Sequence, residues 1–481
     1  MNRRMVVFLL SRILLAEAVL MLPSVLVGLI YREAVTWCFL PAIGALLLLS
    51  LFGLKKPKNT AIYAREGFLT VAASWVLMSL FGAIPFWLSG GFDSIWDCIF
   101  EIVSGFTTTG ASVLRSVEQL PHCILFWRSF SHWIGGMGVL VFVLAVMPMS
   151  EERSMHLMRA EVPGPVVGKL VPRMRDTAKI LYTVYAAMTL LLVILLVAGG
   201  MPLFDSVCHA FGAAGTGGFS IKNAGIAYYN SAYIDIVLSV FMLLFGVNFS
   251  LYHLILIGRV KNAIRSEELR VYLGIVAVTV LLISFNTFSV YQKLGLTLRN
   301  AFFQVSSIIT TTGYATVDFD KWPAFSKMIL VLLMLFGACA GSTGGAIKIS
   351  RVMILYKGAR QEVRRMLHPR AVTVVRIEGQ PIGSGLLRAT LVFFAMYMAC
   401  LALGTLLLSL AEQDFTTDFT AAVACLGNIG PGLAKIGPTG NYGFYPGWAK
   451  ILLSLEMLAG RLELFPIIML FSPLTYRRTA K

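Results

Sequence analysis

The sequence predicts an all-α polytopic membrane protein: four helix–re-entrant segment–helix repeats behind an N-terminal two-helix hairpin. Three observations predict it. Of 481 residues, 57% are hydrophobic and only 13% charged, with a mean hydropathy of +0.79; a soluble domain carries roughly 25% charged residues. About ten apolar stretches are long enough to cross a bilayer, which takes about 20 residues each. A Gly- and Thr-rich segment recurs four times between pairs of those stretches. So little charge excludes a soluble enzyme or a secreted disulfide scaffold. The formal net charge of +16 fits the positive-inside rule better than a nucleic-acid partner, because Lys and Arg collect in loops on one face.

The stretches lie near 6–30, 35–54, 68–90, 123–148, 177–199, 231–257, 270–291, 325–355, 383–410 and 446–472. The first follows a basic start at Arg3 and Arg4. It is too long for a signal peptide and shows no clear cleavage site, so it is read as a retained helix. Basic clusters follow alternate stretches: Lys55, Lys56, Lys58 and Arg65; then Arg153, Arg159, Lys169, Arg173, Arg175 and Lys179; then Arg259, Lys261, Arg265 and Arg270; then Arg351, Lys357, Arg360, Arg364, Arg365, Arg370 and Arg376. Arg477, Arg478 and Lys481 end the chain. The opposite loops carry a thinner set, including Arg32, Arg115, Lys222, Lys321 and Lys435. An even number of crossings then puts both termini in the cytoplasm. The units are 1–60 for the hairpin and 61–165, 166–262, 263–370 and 371–481 for the repeats. The seven cysteines sit singly, with no CxxC, and predict neither disulfides nor zinc.

The recurring segments read Ser104-Gly-Phe-Thr-Thr-Thr-Gly110, Gly215-Thr-Gly-Gly218, Thr310-Thr-Thr-Gly313 and Gly427-Asn-Ile-Gly430. Their last glycines are 108, 95 and 117 residues apart. Irregular backbone at membrane depth is tolerated only where protein or water surrounds it, and four such segments most simply meet on one axis. A short helix ending at each loop aims its negative dipole end inward and attracts a cation. The loop then offers carbonyls and Thr hydroxyls in place of hydration water. Glycine suits the bend because it accepts positive φ cheaply, and the stiff Thr side chains pack outward. The loop cores contain no Asp or Glu, which Ca²⁺ or Mg²⁺ would want; neutral oxygens fit K⁺. A single such cluster is equally a tight turn, but four in register are not.

At this point the sequence resembles a family. SGFTTTGAS (104–112), GTGGFS (215–220), ITTTGYAT (309–316), LGNIGPGL (426–433), GACAGSTGGAIK (337–348), AEVPGPV (160–166) and AGRLELF (459–465) resemble the Trk/Ktr/HKT superfamily of potassium transporters. The likeness is greatest to the TrkH/TrkG subunits of bacterial Trk uptake systems, and the leading hairpin looks like Trk rather than Ktr. The resemblance implies four pseudo-symmetric helix–pore-loop–helix repeats around one central pore. It puts a K⁺ filter on Thr108, Thr109 and Gly110; Thr216, Gly217 and Gly218; Thr311, Thr312 and Gly313; and Asn428, Ile429 and Gly430. Asn428 and Ile429 depart from Thr-Thr-Gly and make the ring unequal. One aligned glycine per loop, where tetrameric K⁺ channels carry TVGYG, implies weaker discrimination against Na⁺. K⁺ is then the transported ion, with no organic cofactor. A Ktr-like Na⁺-dependent K⁺ transporter subunit is the alternative.

Gating residues are implied as well. Four glycines within Gly337–Gly345 make a continuous helix costly, at about 1 kcal/mol each. The resemblance makes Gly341, Ser342, Thr343, Gly344 and Gly345 an intramembrane loop below the filter; close helix packing is the other reading. Arg461 lies in an apolar stretch, where an unpaired charge costs at least about 2.5–3.5 kcal/mol. It is either a positive obstacle in the pore or the ion-pair partner of Glu463 or Glu456. Lys348 adds charge at the inner mouth or is an ordinary cytoplasmic anchor. The six histidines, His132 among them, are scattered. The absence of HExxH, GxSxG and Walker motifs argues against an enzyme, and Gly135-Gly-Met-Gly138 is read as helix packing. The resemblance further implies a homodimer in the bacterial inner membrane and a cytosolic TrkA-like, NAD/ATP-binding regulatory subunit docked near the basic loop 351–376.

Overall fold

A mostly apolar stretch folds back on itself at Tyr31–Arg32 to start the chain. The first helix, Arg3–Ile30, is capped by the Asn2 side chain, which accepts from the Met5 N–H at 3.3 Å. Phe39–Ser50 returns beside it. At the tip, the Glu33 carboxylate accepts the N–H groups of His122 (2.6 Å) and Cys123 (3.0 Å). It thereby caps the helix His122–Met137, whose own N-cap, Pro121, makes no side-chain cap bond. The hairpin is thus pinned to the rest of the bundle. The structure, a computed structural model, describes residues 2–53, 55, 57–59, 63–138, 174–370 and 374–475. The 160–166 motif, Lys56, Arg153, Arg159, Lys169, Arg173, the terminal Arg477, Arg478 and Lys481, and the end of the stretch expected to reach 148 lie outside the described residues.

After the hairpin one order of elements recurs four times: a span helix, a short helix and a return segment. The span helices are Ala64–Gly82, Met174–Ala198, Glu267–Tyr291 and Ser384–Leu408. The short helices are Ile95–Phe106, Leu203–Gly215, Leu294–Ile309 and Phe415–Gly427. At about 1.5 Å per residue none of these can cross a hydrocarbon core of about 30 Å. Asp97, Asp205 and Asp418 sit in first turns, where the dipole favours a carboxylate. Their second halves are almost entirely buried, without exception in the run Ala421–Gly427, so they lie inside the protein.

The return segments correct the expectation of long spans. Six helices among the described residues are long and apolar enough to cross a membrane unbroken, with one bent pair as a seventh candidate; the stretches expected at 325–355 and 446–472 are broken rather than continuous. Ala232–Phe245 turns by 92° into Phe249–Leu256 across Gly246, Val247 and Asn248. Ala324–Leu335 stops before the glycine-rich segment, and the chain resumes helix at Ile349–Leu367. Gly447–Arg461 ends where Glu463 (φ 56°) and Leu464 (φ 68°) adopt left-handed backbone, and Phe465–Phe471 follows with Pro466 in its first turn. Apolar content alone does not register such breaks, because each is short and flanked by apolar residues on both sides.

Packing between repeats is circular. The first return helix packs on the second short helix, the second on the third, and the third on the fourth. The fourth packs on the first short helix, closing the circle. At that closure Lys450 Nζ and Asp97 Oδ1 form an ion pair of 2.5 Å with both side chains 8% exposed. Breaking a buried pair by removing one partner costs about 3–5 kcal/mol. Asp97→Leu is therefore expected to lower the melting temperature of the detergent-purified protein sharply. Asp97→Leu with Lys450→Met restores most of the loss. Fluorescence-detected size-exclusion after a heating series measures both.

A ring of four glycine loops as candidate functional site

Each short helix ends in the same way. The N–H groups of Thr108, Thr216, Thr311 and Asn428 bond three residues back, at 3.0–3.2 Å. Those of Thr109, Gly217, Thr312 and Ile429 bond five residues back, to Ser104, Gly212, Ser307 and Ala424, at 2.8–2.9 Å. This is a Schellman ending, which needs one left-handed residue. That residue is Thr108 (φ 55°), Thr216 (φ 56°), Thr311 (φ 58°) and Asn428 (φ 55°). A β-branched residue there is an outlier and costs about 1–3 kcal/mol. Two residues on, Gly110, Gly218, Gly313 and Gly430 are again left-handed, with φ of 80°, 75°, 83° and 96°. Positive φ was anticipated for the glycines, not for the threonines before them.

The four loops touch in sequence. A Cβ on Gly110 would lie 1.9 Å from Gly217 O, one on Gly218 1.9 Å from Thr312 O, and one on Gly313 2.1 Å from Ile429 O. One on Gly430 would lie 2.7 Å from Thr109 O. Each loop glycine therefore faces the neighbouring loop's carbonyl with no room for a side chain, and the ring closes, most loosely at its last seam. All twelve residues predicted for the site are brought together here. Among the described residues, no hydrogen-bond donor reaches the carbonyls of Thr108, Thr109, Gly110, Thr216, Gly217, Gly218, Thr311, Thr312, Gly313, Asn428 or Ile429. Buried carbonyls are rarely left so. The Gly430 carbonyl accepts from the Tyr442 hydroxyl at 2.7 Å. A cavity of about 370 Å³ opens on one side of the ring, lined by Gly110, Gly218, Gly313 and Gly430.

The ring has two kinds of loop. In the first, the Thr107 and Thr109 hydroxyls meet at 2.8 Å, and Thr107 donates to Val103 O. The third repeats this with Thr310, Thr312 and Ser306 O. The second and fourth place Gly215 with Gly217, and Gly427 with Ile429, at those positions. Unequal loops thus alternate around the ring. Asn428 donates to Thr109 Oγ1 (3.0 Å) and Met457 O (2.9 Å), tying the last loop to the first.

The glycine-rich segment lies against the other side. The Gly345 N–H donates to Thr311 Oγ1 at 2.7 Å, and a Cβ on Gly345 would lie 2.4 Å from Gly427 O. Cys339 N–H bonds Gly246 O (3.0 Å) and Phe249 N–H bonds Gly341 O (3.1 Å), so the kinked second return segment straps it. Glu268 accepts from the Ala340 (2.7 Å) and Ser350 (3.0 Å) N–H groups. Ser342 donates to Cys339 O. Arg461, 6% exposed, donates to Thr343 O (2.7 Å) and to the carbonyls of Gly135 (2.5 Å) and Gly136 (2.7 Å). Its guanidinium therefore bridges the glycine-rich segment and the first return helix, while Glu463 pairs with Arg351 at 2.5 Å. Lys348 is 1% exposed and donates to Gly344 O, so it is a buried brace and not a surface anchor.

A family of cation transport proteins, TrkH, matches residues 39–476. The chain belongs to the TrkH family. It is 35% identical over 474 residues to the Trk system potassium uptake protein TrkH of Salmonella typhimurium, covering 97% of each. It is 34% identical over 466 residues to the Trk system potassium uptake protein TrkG of Escherichia coli, covering 95% of each. Its structure matches the crystal structure of the potassium transporter TrkH from Vibrio parahaemolyticus with a TM-score of 0.89 at 30% identity, over 99% of this chain and 100% of that one. The TrkH family thereby accounts for the fold: a multi-pass, helical membrane protein.

Sequence reasoning missed His132, Glu268, and the Glu101–Arg128 pair at 2.6 Å, all of which touch the ring, its exit or the segment beneath. A lone histidine, or an acid in a helix's first turn, carries no signal of such a neighbour. Alanine at Gly110, Gly218 or Gly313 meets a backbone oxygen at about 2 Å and keeps an unfavourable φ. Each is expected to lower the melting temperature more than Gly430→Ala, whose contact is looser. Thermal denaturation of the four purified variants checks the order.

Proposed function

We propose that the chain is the K⁺-translocating subunit of a Trk-type uptake system, passing dehydrated K⁺ through the ring of four loops. One observation carries the reading: four loops close edge to edge with eleven carbonyls that no donor among the described residues reaches and no carboxylate in the loop cores. Such oxygens replace the water of a monovalent cation. The filter residues are Thr108, Thr109, Gly110, Thr216, Gly217, Gly218, Thr311, Thr312, Gly313, Asn428, Ile429 and Gly430. The units 61–165, 166–262, 263–370 and 371–481 each contribute one loop. The names of the relatives, potassium uptake proteins, support the choice of ion. An inside-negative potential supplies about 2.3 kcal/mol per charge per 100 mV, enough to accumulate K⁺ without covalent chemistry.

Gly341, Ser342, Thr343, Gly344 and Gly345 form the gate, held shut by Arg461 and Lys348. Opening breaks the Arg461 bonds to Thr343, Gly135 and Gly136 and swings the segment on the kink at Gly246–Asn248. The protein works as a homodimer in the bacterial inner membrane with both termini in the cytoplasm. A cytosolic, nucleotide-binding TrkA-like subunit biases the gate.

Expression in a bacterium lacking K⁺ uptake is expected to restore growth at low K⁺. Gly110→Ser or Gly313→Ser, present in the membrane at normal level, abolishes it; unimpaired growth with both variants sinks the filter assignment. Arg461→Ala is expected to raise K⁺ flux into proteoliposomes about tenfold, the factor for about 1.4 kcal/mol off the barrier. Equal or lower flux from a folded variant removes the gate role of Arg461.

A further inference from the structure

The second loop has no side chain on either side of its left-handed residue, Thr216. At the position after the left-handed residue, the other loops carry Thr109, Thr312 and Ile429, and this one carries Gly217. With Gly215 two residues earlier, it has neither member of the hydroxyl pair that braces the first and third loops. Glycine backbone has the widest conformational freedom, so a ring built on it needs support from elsewhere.

The support comes from the first return helix. A Cβ on Gly217 would fall 2.4 Å from ring atoms of His132, and one on Gly215 2.2 Å from His132 O. The imidazole, fully buried, fills the space where the other loops have a side chain. Its hydrogen bonds are fixed by its partners. Nδ1 lies 2.7 Å from Gly105 O, which only accepts, so Nδ1 carries the hydrogen. Nε2 accepts the Phe219 N–H at 3.3 Å. The ring is therefore neutral and held as one tautomer.

Those two partners stand on opposite sides of one seam. Gly105 is in the last turn of the first short helix, and its carbonyl also takes the Thr108 N–H. Phe219 directly follows the second loop's glycine, Gly218. One turn earlier on the same helix, Arg128 donates to Ser220 O at 2.9 Å and lies over the Phe219 ring at 3.4 Å, while pairing with Glu101. Arg128 thus holds the exit of the loop, and His132 holds the loop itself.

We propose that His132 is a positioning residue that sets ion discrimination at the second loop, supplying from another helix the brace that threonine hydroxyls supply within the first and third. This rests on the reading of the ring as a K⁺ filter. Without both hydrogen bonds the Gly215–Gly218 backbone is free to close on a smaller ion, and the carbonyls of Thr216 and Gly217 no longer favour K⁺ over Na⁺.

The test is the K⁺-to-Na⁺ flux ratio in proteoliposomes holding the full chain. His132→Leu keeps a side chain of similar bulk but neither hydrogen bond, and is expected to lower the ratio about fivefold, a factor within the net worth of one hydrogen bond. His132→Gln retains one donor and one acceptor and is expected to keep the ratio within about twofold. A wild-type ratio in the leucine variant means that the imidazole only fills space, and overturns the role. A glutamine variant as unselective as the leucine variant also overturns it. Should the leucine variant fail to accumulate, His132→Asn, too short to make both bonds, replaces it, and a wild-type ratio there is equally fatal. A wild-type protein that carries no K⁺ fails the underlying reading instead, which separates the two.

Discussion

The contact on which everything else depends is the approach of one loop's glycine Cα to the next loop's carbonyl oxygen. A Cβ would lie 1.9–2.1 Å from a neighbouring backbone oxygen at three of the four seams and 2.7 Å at the fourth, so none fits. That closeness lets four separate chain segments, spaced roughly a hundred residues apart, form one continuous rim of backbone oxygens. It also explains why the short helices must end in strained fashion. A Schellman turn with Thr or Asn in the left-handed region directs the chain sharply off the helix axis, so that the glycine two residues later meets its neighbour. The circular packing of return helices on succeeding short helices holds that strain in place.

Buried charge around the ring is satisfied partly by backbone carbonyls and partly by opposite charge, the Arg351–Glu463 and Arg128–Glu101 pairs among them. Arg461 and Lys348 are satisfied through carbonyls of the glycine-rich segment and the first return helix. Glu101 and Arg128 satisfy each other, while Glu101 also takes the Ser112 hydroxyl and Val113 N–H. Carbonyl–guanidinium bonds can be exchanged for water as a segment moves. A buried carboxylate–guanidinium pair cannot be parted without a large desolvation loss. The first return helix carries Arg128, His132 and Gly135–Gly136 along one stripe, past the exit of the second loop, the loop itself and the Arg461 guanidinium.

How far the sequence went depends on which physics each feature uses. The all-helical membrane class follows from too few charges to coat a soluble surface, and the four loops follow from local composition: Gly and Thr where apolar residues were due. The break at Gly337–Gly345 was readable because four glycines in nine residues oppose helix. The kinks at Gly246–Asn248 and Glu463–Leu464 were not readable. There the helix is ended by hydrogen bonds to a segment nearly a hundred residues away, or by non-glycine residues held at positive φ.

The sequence by itself determined the class and the presence of four Gly- and Thr-rich loops, because burial tendency and glycine's conformational freedom are properties of the local chain; the choice of twelve residues within those loops came from the family resemblance. Only the tertiary structure decided that these loops adjoin in cyclic order, that Thr and Asn take left-handed backbone, and that Lys348 is buried. It alone decided that a histidine from the first repeat stands behind the second repeat's loop. Those outcomes hang on which distant backbone atom lies within about 3 Å, and no single chain segment encodes that distance.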